Sequence, residues 1–366
     1  MFNKEKISTI QMGAMCWLLI MGDMLFVYPS SITSYAKESS LICAIAGIPL
    51  GVLLMLVFLK IHKASANNGF IQFCIKMLGT GMGTGMVCIY LFYFAISASS
   101  LIRNVADFVN TQLYPYTPLQ IIMLIFTLTT VCSLIQGVEV LGRVSEIMAP
   151  IVLMFIIFFL LCLIPKMEIN NSLPLFSLEL KSLAQGSVLS FVYPIGEIIP
   201  ILLILPFVNS QKHTNRDLLI VTGFGSFILS MIVMTSLLVA GPFLTQHNFY
   251  TTFFLAQKIS IGKILERIEA LIACAWIIAT YIKTVAYMYA FINGLSELFK
   301  LKHHRTLILP SGLLIFGLAG FIVPDQLFNI WFAPYWLEFE CTICVVVPLF
   351  LILIYQLKQS NMGELQ

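Results

Sequence analysis

Charge is what this sequence has least of. Of 366 residues only 10% are Asp, Glu, Lys or Arg, while 59% are hydrophobic. A soluble domain covers its surface with roughly 25% charged residues, so the chain's main solvent is lipid. No extended basic stretch follows the sequence, which excludes a nucleic-acid binder. GxSxG, HExxH and P-loop patterns are missing, and the five histidines (His62, His213, His247, His303, His304) fall in connections. Nothing therefore points to an enzyme, a metal site or a cofactor. Disulfide spacing is missing too. Of nine cysteines, Cys74 lies in a connection and the rest in apolar segments. The one CxxC, Cys341 to Cys344, sits inside an apolar run, where two small hydrophobes are expected rather than a redox or metal pair.

Long apolar runs are what is there. A membrane-crossing helix needs about 20 apolar residues, and ten such runs are legible: 8–34, 40–61, 82–111, 118–138, 142–165, 184–208, 216–245, 265–299, 305–323 and 336–357. "MFNKEK" before the first run has the outline of a secretory leader, but the run is too long for one. The expected fold class is an all-α integral membrane protein of ten transmembrane helices. The chain forms one polytopic domain, with a first five-helix repeat over 8–165 and a second over 184–357. With the N-terminus inside, the inner connections carry Lys4, Lys6, Lys60, Lys63, Lys76, Arg143, Lys212, Arg216, Lys300, Lys302, Arg305 and Lys358. The outer ones carry half as many: Lys37, Lys166, Lys181, Lys258, Lys263 and Arg267. The excess predicts both termini in the cytoplasm. Connection 62–81 has an amphipathic middle, connection 246–264 has interfacial aromatics, and "KLKHHR" at 300–305 suits lipid headgroups.

Runs 1 and 6 each contain "FVYP", at 26–29 and 191–194. Proline removes a backbone donor and disfavours helix at the residue before it. Irregular backbone survives in a membrane only where it lines a protein-enclosed cavity. Interrupted first helices in corresponding positions of two halves point to a midplane site in an inverted repeat, and plain proline kinks are the alternative.

Most ionisable residues lie near run ends. Arg103 and Asp107 are spaced to pair on one helix. Glu338 and Glu340, at the start of run 10, are expected at the interface, paired or snorkelling. Asp23, Glu197 and Lys283 lie near run centres, each costing about 2.5–3.5 kcal/mol there. Asp23 and Glu197 flank the two breaks. Lys283 shares a helix stripe with Trp276 and Glu269, and either pairs with one of the acids or serves a ligand or ion.

These features resemble two nested families. Ten spans with breaks in 1 and 6 resemble the LeuT-type fold of the amino-acid/polyamine/cation permease superfamily. "YPIGEIIPILLILPFV" at 193–208, "ERIEALIACAWIIATYIK" at 266–283 and the opening "ISTIQMGAMCWLLIMGDMLF" resemble the B subunit of bacterial spore germinant receptors. The resemblance implies a nutrient-sensing subunit in the spore inner membrane. It also implies a small-molecule germinant as ligand and A and C subunits as partners. Sodium-coupled members of this fold hold a cation between spans 1 and 8, and Lys283 would substitute for that ion by bridging to Asp23.

The ligand-binding candidates follow from the breaks. Helix ends there expose amides and carbonyls, and Gly22 and Gly196 allow close approach. Asp23 or Glu197 would meet an amine, making an amino acid the first expectation. Tyr193 and Ile198 would supply walls, Thr280 and Thr284 donors beside Lys283, and Tyr93 and Ser97 the facing side. A core-packing role is open for each. Two other functions fit the same pattern: an ion- or proton-coupled amino-acid permease, and an ion-conducting or scaffold subunit.

Overall fold

In lipid a backbone amide has no partner except another protein group, so apolar runs become helices. The computed structural model describes residues 6–65, 69–172, 180–209, 213–259, 267–301, 304–322 and 326–363. In chain order the helices are α1 (Thr9–Met21), α2 (Met24–Ala36), α3 (Ser40–Ser65), α4 (Gly69–Leu78), α5 (Thr80–Phe108), α6 (Leu119–Gln136), α7 (Val138–Leu163), α8 (Leu180–Phe191), α9 (Ile201–Ile204), α10 (Thr214–His247), α11 (Thr251–Gln257), α12 (Ile268–Leu298), α13 (Ile308–Phe321), α14 (Gln326–Cys341) and α15 (Val347–Gly363). Among the described residues 8 helical stretches are long and apolar enough to cross a membrane, and Thr9–Met21 and Arg305–Phe321 are shorter apolar helices. The amphipathic middle of connection 62–81 is α4, and the aromatic connection 246–264 contains α11.

The two expected breaks form differently. The first lies at Gly22–Asp23, not at the tyrosine-proline pair, and Pro29 stays inside α2. Pro29 has no amide hydrogen for the carbonyl of Leu25, four residues back. The Thr252 hydroxyl donates to that carbonyl instead (2.6 Å), so the helix continues through the proline. Gly22 ends α1, its amide donating to Leu18 O (2.8 Å). The second break does fall at its proline. α8 gives way to a π-helical turn over Val192–Gly196, then to irregular turns before α9. Pro194 leaves the Ser190 carbonyl without its helical donor, and Tyr28 Oη donates to it (3.2 Å). The tyrosine of the first "FVYP" thus serves the carbonyl released by the proline of the second.

Run 10 begins ten residues earlier than its hydropathy suggested. The helix starts at Gln326 and carries Pro334 within it, because the aromatic and polar residues before Trp336 dilute the apolar signal without stopping the helix. Glu338 and Glu340 therefore lie well inside the element, and Glu340 is 1% exposed rather than interfacial.

Packing puts the broken segments at the centre. α12 runs along α5, α10 along α3 and α2, and α1 against α7, α10 and α12. In the most apolar window of Leu180–Phe207 89% of residues are buried, against 22% in that of Val138–Lys166. The latter shows Ile147, Met154, Ile157 and Leu161 to the outside, as a lipid-facing helix does. Ile7 and Asn209 tie the start of α1 to the segment after α9, through Ile7 N to Phe207 O (3.0 Å) and Asn209 N to Ile7 O (2.9 Å).

Candidate functional site

α12 passes both breaks, which sets where its one buried lysine reaches. Lys283 is 0% exposed. Its Nζ donates to Asp23 Oδ1 at 2.6 Å and also to Glu197 Oε2. Asp23 is the residue before α2 and Glu197 follows the π turn, so one ammonium joins the two interruptions. A buried lysine between two carboxylates is far better placed than one alone, because removing its partners would leave a charge in a medium that cannot solvate it. Gly22 makes the approach possible: a Cβ there would lie 2.5 Å from Lys283 Cδ.

α12 also reaches the backbone at both breaks. Tyr287 Oη donates to Glu197 O (2.7 Å), and Trp276 Nε1 donates to Asp23 O (3.2 Å), which also accepts from Val27 N (3.3 Å) at the start of α2. Tyr93 Oη of α5 stands 3.0 Å from Tyr287 Oη and 3.3 Å from Glu340 Oε1. A continuous polar row thus runs from Asp23 through Lys283, Glu197, Tyr287 and Tyr93 to Glu340. To one side Trp276 stacks on Phe26 with centroids 4.7 Å apart; Phe108 and Tyr250 pack edge-on against that pair, and Phe253 is tilted against Phe26.

A cavity of about 140 Å³ opens beside this row. Of the residues expected at the site, Asp23, Ser97, Tyr193, Glu197 and Lys283 border it. The other expected residues do not. Gly22 faces the Lys283 stem and Gly196 faces Cys344, so protein atoms fill the space that the sequence reading gave to a ligand. Ile198, Thr280 and Thr284 are fully buried in the packing; the Thr284 hydroxyl donates to Thr280 O (2.8 Å). Tyr93 stands one step behind the cavity, bonded to residues that border it.

Sequence reasoning missed Glu340, Tyr287, Asn104, Ser100 and Trp336, all of which border the cavity. Tyr287 carried a usable signal, lying one helical turn beyond Lys283. Arg103 and Asp107 pair at 3.0 Å as their spacing predicts. Cys341 and Cys344 are free thiols.

Three comparisons place the chain and its fold among known proteins. A family model described as "Spore germination protein" matches residues 6–323. Spore germination protein KB of Bacillus subtilis (strain 168) is 25% identical over 314 residues, spanning 85% of this chain and 83% of that protein. Spore germination protein GerLB of Bacillus cereus is 24% identical over 375 residues, spanning 99% and 98%. Among solved structures, MHP1, a nucleobase-cation-symport-1 family transporter in a closed conformation with bromovinylhydantoin bound, superposes with a TM-score of 0.69. At 13% identity it covers 95% of this chain and 78% of that one. That likeness places the fold among transporter folds.

Proposed function

The chain belongs to the spore germination protein family, and from that premise we propose that it is the germinant-sensing membrane subunit of a spore receptor. It binds a small molecule, an amino acid in the first instance, in the midplane cavity between its two interrupted helices. The architecture in this reading is a ten-crossing inverted repeat of the LeuT type, five helices and five, with both termini cytoplasmic and the chain in the spore inner membrane. Ligand binding biases an existing conformational equilibrium, and the A and C subunits receive that bias.

One observation carries the reading: Lys283 bridges Asp23 and Glu197. In ion-coupled transporters of discontinuous-helix type, half-helix ends and unwound backbone coordinate a mobile cation. Here a covalently attached ammonium occupies the junction of the breaks. A fixed cation suits a device that switches between states without releasing an ion in each cycle. The test uses spores whose only receptor of this type contains the chain, scored for germination against amino acids, sugars and nucleosides. Ser97→Phe, which fills the cavity from α5, is expected to abolish the response to the active compound; an unchanged response removes the reading.

The transporter fold favours a second reading, a proton- or ion-coupled amino-acid permease. Vesicles containing this chain alone separate the two: concentrative uptake of the labelled germinant supports the permease, and binding without uptake supports the receptor.

A further inference from the structure

Lys283 engages Asp23 and Glu197, so those two acids are occupied before any ligand arrives. A third carboxyl, Glu340, borders the same cavity from α14. It is 1% exposed, its Oε1 contacts Tyr93 Oη, and its Oε2 has no hydrogen-bond partner among the described residues. A buried acceptor left without a partner costs about 1–3 kcal/mol, and more when charged. The charged lining is three carboxyls against one ammonium, the latter shared by two of the three. Aromatic faces also border the space, from Phe249, Tyr287, Phe332 and Trp336, and such faces attract cations.

We propose that the cavity takes an organic ammonium, a primary amine on a small apolar body, whose N–H groups donate to Oε2 of Glu340. The inference rests on the midplane-pocket reading above and names the ligand group that pocket selects; in an amino acid it is the α-ammonium. A ligand whose only charge is a carboxylate would face three acids and find no cation of its own.

The test is thermal unfolding of the purified full chain in nanodiscs at pH 7 with three probes of one shape: 3-methylbutylamine, 3-methylbutan-1-ol and 3-methylbutanoate. The amine is expected to raise the midpoint of the unmodified chain, while the alcohol and the carboxylate leave it in place. Glu340→Gln is expected to weaken amine binding at least tenfold, in line with removing one partner of a buried charge pair. Binding of the alcohol as tight as that of the amine, or amine binding unchanged in Glu340→Gln, overturns the ammonium assignment. If in those cases Ser97→Phe still blocks binding, the pocket reading stands without it. No shift with any probe, or shifts that survive Ser97→Phe, overturns both. The amine–alcohol comparison uses the unmodified chain, so it decides the matter even if Glu340→Gln is unstable.

Discussion

The two interruptions share four letters and differ in almost everything else. In the second, proline coincides with the break. In the first, the helix runs straight through its proline and breaks six residues earlier, at Gly22–Asp23. The difference is one of accounting for backbone donors and acceptors. A proline frees the carbonyl four residues back, and the helix survives if another element supplies a donor. Thr252 does so for Leu25 O, and the helix continues. Tyr28 does so for Ser190 O, but beyond that point the chain turns through π geometry toward Glu197. What the two breaks have in common is a carboxylate presented to the same lysine.

Substitutions at matched positions sharpen this comparison. The largest effect is expected at Lys283, which serves both breaks. Lys283→Met leaves two buried carboxylates without their cation and should destabilise the chain by about 3–5 kcal/mol, read as a fall in thermal midpoint in nanodiscs together with loss of germination response. Next come the glycines. A Cβ at Gly22 would lie 2.5 Å from Lys283 Cδ, whereas one at Gly196 would lie 3.1 Å from Cys344 Cβ. Gly22→Ala should therefore be the more damaging, by about 1–3 kcal/mol as overpacking of a filled interior. Equal effects in the same unfolding assay would mean that the lysine stem is free to move.

Smaller effects are expected from the two hydroxyls that serve the prolines. Thr252→Val and Tyr28→Phe each remove one donor to a buried carbonyl and should cost about 1–2 kcal/mol. Hydrogen exchange should show Thr252→Val loosening α2 and Tyr28→Phe loosening the α8 end. The smallest effect is expected outside both breaks. Arg143 pairs with Glu139 at 2.6 Å on an exposed surface, and Arg143→Ala should change stability by less than about 1 kcal/mol.

The sequence made the deep charges legible, because an ionisable residue inside an apolar run stands out against its neighbours. Asp23, Glu197 and Lys283 were visible for that reason, and they do meet. The helical nature of the chain was legible for the same reason: runs of 20 apolar residues leave few alternatives. What stayed hidden depends on partners distant in sequence. Nothing near Pro29 says that Thr252 will satisfy Leu25 O, so the proline looked like the break. Nothing near Gly22 says that Lys283 fills the space above it, so the glycine looked like a ligand contact. Glu340 was misplaced because hydropathy fades across the aromatic segment before Trp336, which moved the apparent helix start and made a core acid look interfacial. At Pro29 and Gly22 a tertiary contact decided the outcome; at Glu340 the local hydropathy signal itself placed the helix start too late.

The central claim is that one ammonium joins the two breaks, and charge neutralisation tests it most directly. The thermal unfolding midpoint of Lys283→Met should be compared with that of the triple variant Lys283→Met, Asp23→Asn, Glu197→Gln in the same nanodiscs. If the lysine compensates both acids, removing all three charges together should recover most of the stability that the single substitution loses, because no uncompensated carboxylate remains. A triple variant no more stable than Lys283→Met would contradict the account.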